Sequence, residues 1–257
     1  MLNYVKSEWF RIARGKTIYA MTAILSALTV AMNVVLFLVR QGDINFPYAS
    51  ITFSLNTLTN SLYGLFVMGA LVVALLFAED RKNGTLKNSI AYGISREGIF
   101  FGKCGISLAW AVIIMIIVLV FYVGSAFLLL EGSGAEPLQK MLEGIGAAMP
   151  SALASVILAV ALLSLCNNII VSVVWWAAIT FIIPKIFYQI GFAVELFSLI
   201  AKWMPVNFFN DEVIANMDGY DCLWNTSFGL MKCLVAGFGF ALTYMVIGLL
   251  GIRKKDV

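Results

Sequence analysis

Six stretches of roughly twenty apolar residues recur along this chain, over residues 17–39, 61–78, 104–130, 147–166, 169–189 and 232–252. Four of them contain no charged side chain, and the other two contain one lysine each, Lys185 and Lys232. A helix of that length crosses a hydrocarbon core about 30 Å thick with every backbone group bonded internally, and in lipid only helices and closed barrels achieve this. Composition agrees. The chain is 61% hydrophobic and 12% charged, about half the charged share of a soluble domain. The expected fold class is an all-α integral membrane protein with six transmembrane helices, forming a single domain over residues 1–257. The first stretch reads as a retained span. Its flank is basic over sixteen residues and no small-residue cleavage site follows it.

Orientation follows from Lys and Arg, which collect on cytoplasmic flanks. One set of flanks holds Lys6, Arg11, Arg14 and Lys16, then Arg81, Lys82, Lys87, Arg96 and Lys103, then Arg253, Lys254 and Lys255. The opposite set holds Arg40, Lys140, Lys185, Lys202, Lys232 and nine of the 14 acids. Both termini are therefore expected in the cytoplasm. The net charge of +3 is spread over membrane flanks and does not point to nucleic acid. Residues 186–204 would make a seventh span only by carrying Arg253–Lys255 outside. They contain Gln189, Glu195 and Lys202 and lie between Pro184 and Pro205, so they read as a helix on or dipping into the outer leaflet. The competing reading is a fifth span that continues with a kink at Pro184. Near the N-terminus, Leu2, Val5, Trp9 and Ile12 recur at spacings of three and four, with Lys6, Arg11 and Arg14 on other faces. Residues 1–16 thus read as an amphipathic helix in the cytoplasmic headgroup layer.

Between the second and third apolar stretches lies the one segment that combines charge, turn chemistry and a short helical pattern. Asn83-Gly84 is a turn dipeptide that ends the preceding helix. Thr85 is an N-cap candidate for a short helix over residues 86–92, Gly93 a left-handed stop, and Ser95 the cap of the next helix. Leu86 and Ile90 share a face while Lys87 and Asn88 point elsewhere. Two turns of helix are marginal alone, so a partner or a membrane surface is needed to cover that face.

The string Glu79-Asp-Arg-Lys-Asn-Gly-Thr-Leu-Lys-Asn88, with Gly93-Ile-Ser-Arg96 and Gly102-Lys103 after it, resembles the segment following the second span of ABC-2-type transporter permeases. The plan of the chain is similar too: an amphipathic first helix, six spans, and a membrane-dipping helix between spans five and six. The resemblance implies that Glu79, Asn83, Gly84, Thr85, Leu86, Lys87, Asn88 and Ile90 form or frame a coupling helix that docks on a separate ABC ATPase subunit. Two permeases, identical or different, and two ATPases would then make an exporter. The chain itself would bind no cofactor, with ATP and Mg on the partner. Its small size is similar to permeases that export peptide toxins or protect against bacteriocins, which implies an amphipathic peptide or another lipophilic substrate and a bacterial plasma membrane. Spans two and five would lie nearest the transport path, making Asn56, Asn60, Tyr63, Trp175 and Trp176 candidate lining positions. The tryptophans also suit packing or interface anchoring. Ala70, Ala74 and Ala78 form a small-residue stripe that suits either a dimer contact or packing within one bundle.

Other chemistries lack their residues. Gly93 and Gly98 have the glycine spacing of a phosphate-binding loop, but Ile99 follows instead of lysine. No Asp, Glu, Lys or Arg sits at the centre of an apolar stretch and the chain has no histidine, which disfavours an ion-coupled carrier. An ATP-independent carrier or scaffold is the alternative reading. Catalysis would need clustered His or carboxylates, and the sequence offers no metal-ligand set. Glu79-Asp80 reads as a solvated helix end, with Glu79 bonding within the connector. Cys222 and Cys233 are disulfide candidates or unrelated small residues.

Overall fold

A computed structural model describes residues 2–43, 46–83, 93–217 and 219–254. Helix α1 (Leu2–Arg14) leads through Gly15 into α2 (Lys16–Gly42). A short α3 (Ile51–Thr59) is followed by α4 (Gly64–Asn83), then by the long α5 (Arg96–Leu129) and α6 (Ala135–Leu165). The fifth apolar stretch is α7 (Ile169–Ala177), a π-helical turn (Ala178–Ile182) and α8 (Ile183–Gly191). Two short helices, α9 (Glu195–Ala201) and α10 (Pro205–Asp211), precede a β-hairpin of β1 (Val213–Ala215) and β2 (Tyr220–Cys222). Helix α11 (Ser227–Lys254) completes the described chain. Five helical segments are long and apolar enough to cross a membrane, and a sixth arises if α3 and α4 are one broken span.

Several boundaries differ from the sequence reading. The second span does not begin at residue 61. Helices α3 and α4 meet at 67° across the turn Asn60–Tyr63, where Gly64 N donates to Ser61 O at 2.8 Å. Ser50 caps α3 by accepting from Phe53 N, a start signal the reading passed over. Helix α5 starts at Arg96, after the cap at Ser95, and Lys103 sits about two turns inside it. The fifth span continues through Pro184 to Gly191. Pro184 lacks an N–H and its ring crowds the carbonyl four residues back. The ladder adapts by one wide turn, in which Ile183 N donates to Ala178 O. The separate outer helix is only α9, folded back on α8 with the Phe187 and Phe197 rings 5.1 Å apart. Asn207 Nδ2 ties α10 to this hairpin through the carbonyls of Pro184 and Ala201, both at 3.0 Å.

Helix α6 is the centre of the bundle. It packs on α3, α4, α5, α7 and α11, and it is the most buried of the spans. About half of its inward positions are small, among them Gly144, Ala147, Ala148, Ser151, Ala154, Ser155 and Ala159, which lets neighbouring backbones come close in a solvent that provides no hydrophobic drive between helices. Toward the opposite end from the connector, Asn33 of α2 donates to Tyr122 O and Ser125 Oγ of α5, and accepts from Ser54 Oγ of α3 at 2.6 Å. This network is buried and satisfied, and it bonds neighbouring helices as expected of an intramembrane Asn. The cysteines at 222 and 233 are free and buried. Burial pushes the Cys222 thiol up to about 11.

At the α6/α11 contact, a methyl group on Gly237 would lie 2.7 Å from Ser151 N and 2.5 Å from Pro150 Cβ. Gly237→Ala is therefore expected to lower stability by about 1–3 kcal/mol through overpacking, read by thermal unfolding in detergent. Gly239→Ala, which meets nothing within 4 Å, serves as the neutral control.

Candidate functional site

The connector leaves α4 and re-enters at α5, so the geometry that matters is how those two ends are held. Gly84, Thr85, Leu86, Lys87, Asn88 and Ile90 lie outside the described residues, as does the side chain of Asn83, which ends α4. Beyond that segment the expected punctuation is present. Gly93 has φ +81°, and Ser95 Oγ accepts from Gly98 N at 3.2 Å to start α5. Glu79 is half-buried, beside the Gly15 backbone between α1 and α2.

Its neighbour Asp80 is not a solvated helix end; it is 1% exposed. Asp80 takes one bond from Arg11 of α1 and another from Lys103 of α5. Glu8 of α1 completes the group, with Lys103 Nζ at 2.5 Å and Arg11 Nη2 at 2.7 Å. Two acids and two bases thus form a buried, formally neutral cluster that joins three helices. Burial opposes the Arg11 charge, but Asp80 and then Glu8 outweigh it and hold the guanidinium above its ordinary value. Burial, reinforced by Glu8 and Asp80, likewise pushes the Tyr4 phenol up. Removing the charge balance would leave an uncompensated ion in an apolar setting.

Helix α1 therefore presents a different face from the one its apolar spacing indicated. Tyr4, Glu8 and Ile12, an i, i+4 row, face the bundle, and Arg11 turns inward with them. Trp9 is on the outer side, 5.2 Å from Trp110 of α5. A lone acid within a basic helix, four residues from both Tyr4 and Ile12, was the available signal.

The next residue fixes the other side of the connector. Arg81 donates to the carbonyls of Leu163, Cys166 and Asn167 at 2.7–2.8 Å. Those are orphan acceptors at the C-terminus of α6 and in the loop after it, and a cation there also suits the negative end of the helix dipole. At the start of α5, Glu97 pairs with Arg253 at the end of α11, 2.7 Å away. The connector is thus strung between helix ends clamped to α1, α6 and α11.

The candidate lining residues separate into three settings. Asn56 and Asn60 bind the hairpin: their amides donate to Asn216 O and Ala215 O, each at 2.8 Å, and Asn60 Oδ1 accepts from Ala215 N. Tyr63 and Trp176 meet across Phe181, with ring centroids 6.5 and 5.6 Å away, so the second and fifth spans are neighbours. Trp176 is buried and donates to Ser155 Oγ, whereas Trp175 is 54% exposed on the outer face of α7. Ala70 and Ala74 pack within the chain's own core.

This chain matches the family of ABC-2 family transporter proteins over residues 4–188, well over half of its length. It belongs to that family. No curated protein and no solved structure matches it. As an ABC-2 protein the chain is a permease subunit of an ABC transporter, a multi-pass membrane protein that is not itself catalytic, and membership implies ABC ATPase partners. The matched region includes the connector and every member of the buried ion cluster.

Lys103→Met leaves Asp80 and Glu8 short of a cation, so it is expected to cost about 3–5 kcal/mol in unfolding experiments on the detergent-solubilised chain. Adding Asp80→Asn should restore part of that loss, because the pair is coupled rather than additive.

Proposed function

We propose that this chain is the membrane subunit of an ATP-driven exporter that moves an amphipathic or hydrophobic cargo, a peptide toxin or antimicrobial peptide, out of a bacterial cell. Residues 86–92 act as the coupling helix. Leu86 and Ile90 insert into the ATPase, Lys87 and Asn88 orient the contact, and Asn83, Gly84 and Thr85 set its angle. ATP and Mg bind to the ATPase, and two permeases with two ATPases form the working unit. Both termini and the connector face the cytoplasm, where the basic flanks collect.

The observation that carries this reading is the clamping of the connector's two ends. A short helix that moves alone would dissipate any push from a partner. Here the ends continue into α4 and α5, and Asp80, Lys103 and Arg81 bind those helices to α1 and to the end of α6. A displacement of the connector would therefore move the bundle. The uncharged aromatic cluster of Tyr63, Phe181 and Trp176 suits a lipophilic cargo better than an ion. With Trp175 on the exposed side, that face is available to a second permease across the path.

Pull-down of the gently solubilised chain from its host is expected to bring down a nucleotide-binding subunit with ATPase activity. Leu86→Asp/Ile90→Asp is expected to lose that subunit while the chain itself still inserts in the membrane. Recovery of the wild-type chain without an ATPase would overturn the proposal.

A further inference from the structure

A cavity of about 200 Å³ lies among α4, α6, the fifth span, α10 and α11. Phe66, Ala154 and Ser155 form its inner wall, and Met204, Pro205 and Val206 close one end. Its remaining sides are Ile179, Thr180 and Ile183 of the fifth span and Phe240 and Tyr244 of α11. Those five residues are all partly exposed, and the fifth span and α11 do not pack along one another. The cavity therefore opens sideways between two helices. The fifth span beside that opening is apolar on its outer side, with Ile182 and Ile186 exposed. In a membrane that surface faces hydrocarbon, so an occupant enters from the bilayer rather than from water.

One polar atom distinguishes the site. Ser151 borders the cavity and is 3% exposed, and its Oγ has no hydrogen-bond partner among the described residues. Several hydroxyls in these helices bond the carbonyl four residues back, as Thr22, Thr57, Ser172 and Thr243 do; Ser26 and Ser107 share the unpartnered state of Ser151 among the described residues, but neither borders this cavity. One turn along α6, Ser155 is engaged, donating to Phe66 O and accepting from Trp176. A buried hydroxyl without a partner is costly, and this one lies halfway along a helix that spans the whole membrane. The adjoining wall is the π-helical turn, an irregularity frequent at functional sites.

We propose that this cavity is a binding site for a lipophilic molecule carrying one hydrogen-bond acceptor, drawn from the bilayer, with Ser151 Oγ donating to that acceptor. The volume limits the occupant. An apolar cavity of about 150 Å³ takes up benzene, so this one holds a single ring with a small substituent, or a comparable part of a larger amphiphile. The site lies inside one chain and depends neither on a second permease nor on the ATPase.

The test uses the full chain in phosphatidylcholine nanodiscs without an ATPase, and two photoactivatable phenyl diazirines that differ only in a para-acetyl or a para-isopropyl group. Label is read by mass spectrometry on the peptides containing Met204–Val206 and Phe240–Tyr244. The acetyl probe is expected to label both peptides about five-fold more, the ratio one net hydrogen bond provides. Ser151→Ala should abolish that preference while leaving isopropyl labelling unchanged. Ile179→Trp, a change at a partly exposed position, should block both probes. Equal labelling by the two probes in the wild type, a preference that survives Ser151→Ala, or labelling undiminished by Ile179→Trp would each overturn the site. None of these outcomes bears on the exporter reading, since no nucleotide or ATPase is present.

Discussion

The bundle rests on how closely its helices approach α6. Lipid tails are as apolar as leucine, so burial from water does not hold one spanning helix against another; close packing and polar bonds must do so. Helix α6 meets that requirement with small side chains over most of its length, so that Gly237 of α11 sits directly on Pro150 and Ser151. Polar bonds then lock what packing brings together. Ser155 bridges α4 and α7, and Arg81 satisfies the last carbonyls of α6. The helix that contacts most of the others is thus also the one whose end is bonded beside the connector.

At the connector end of the bundle, charge is buried. Desolvating four ions is expensive, and a buried ion cluster is weak evidence of added stability. Its physical effect is on arrangement: Arg11 of α1 bonds Asp80 of α4 and Glu8 of α1 bonds Lys103 of α5, so the three helices are tied to one another at this point. Under the proposed function, a rigid junction beside the connector is useful. This gives the cluster a role that stability bookkeeping alone would not.

Much of this was readable from the chain. The number of long apolar helices, the cap at Ser95 and the left-handed Gly93 followed from local pattern, because hydropathy and capping act over a few residues. The family was legible in the stretch from Glu79 to Lys103. The ion cluster was not. Glu8, Arg11, Asp80 and Lys103 each looked like an ordinary membrane-edge charge, and only their convergence from three segments separates a buried pair from a solvated one. Asn56 and Asn60 were similarly opaque, since their partners at Ala215 and Asn216 lie about 155 residues away in the chain. The bend between α3 and α4 and the wide helical turn just before Pro184 were not read either, since neither leaves a distinct pattern in the apolar stretches that contain them.

By itself, then, the sequence determined that this protein is a helical membrane protein of the ABC-2 kind, with one polar connector between its second and third spans. The helical membrane class depends on transfer free energy and local backbone chemistry, which any twenty-residue window carries, and the family rests on the resemblance of the Glu79–Lys103 stretch. The tertiary structure alone decided that the connector's ends are clamped by a neutral buried cluster and by Arg81 on the end of α6. It also decided that a hydroxyl on α6 faces a side-opening apolar cavity. Both depend on which distant residues share a few ångströms of low-dielectric space, and no local pattern encodes that.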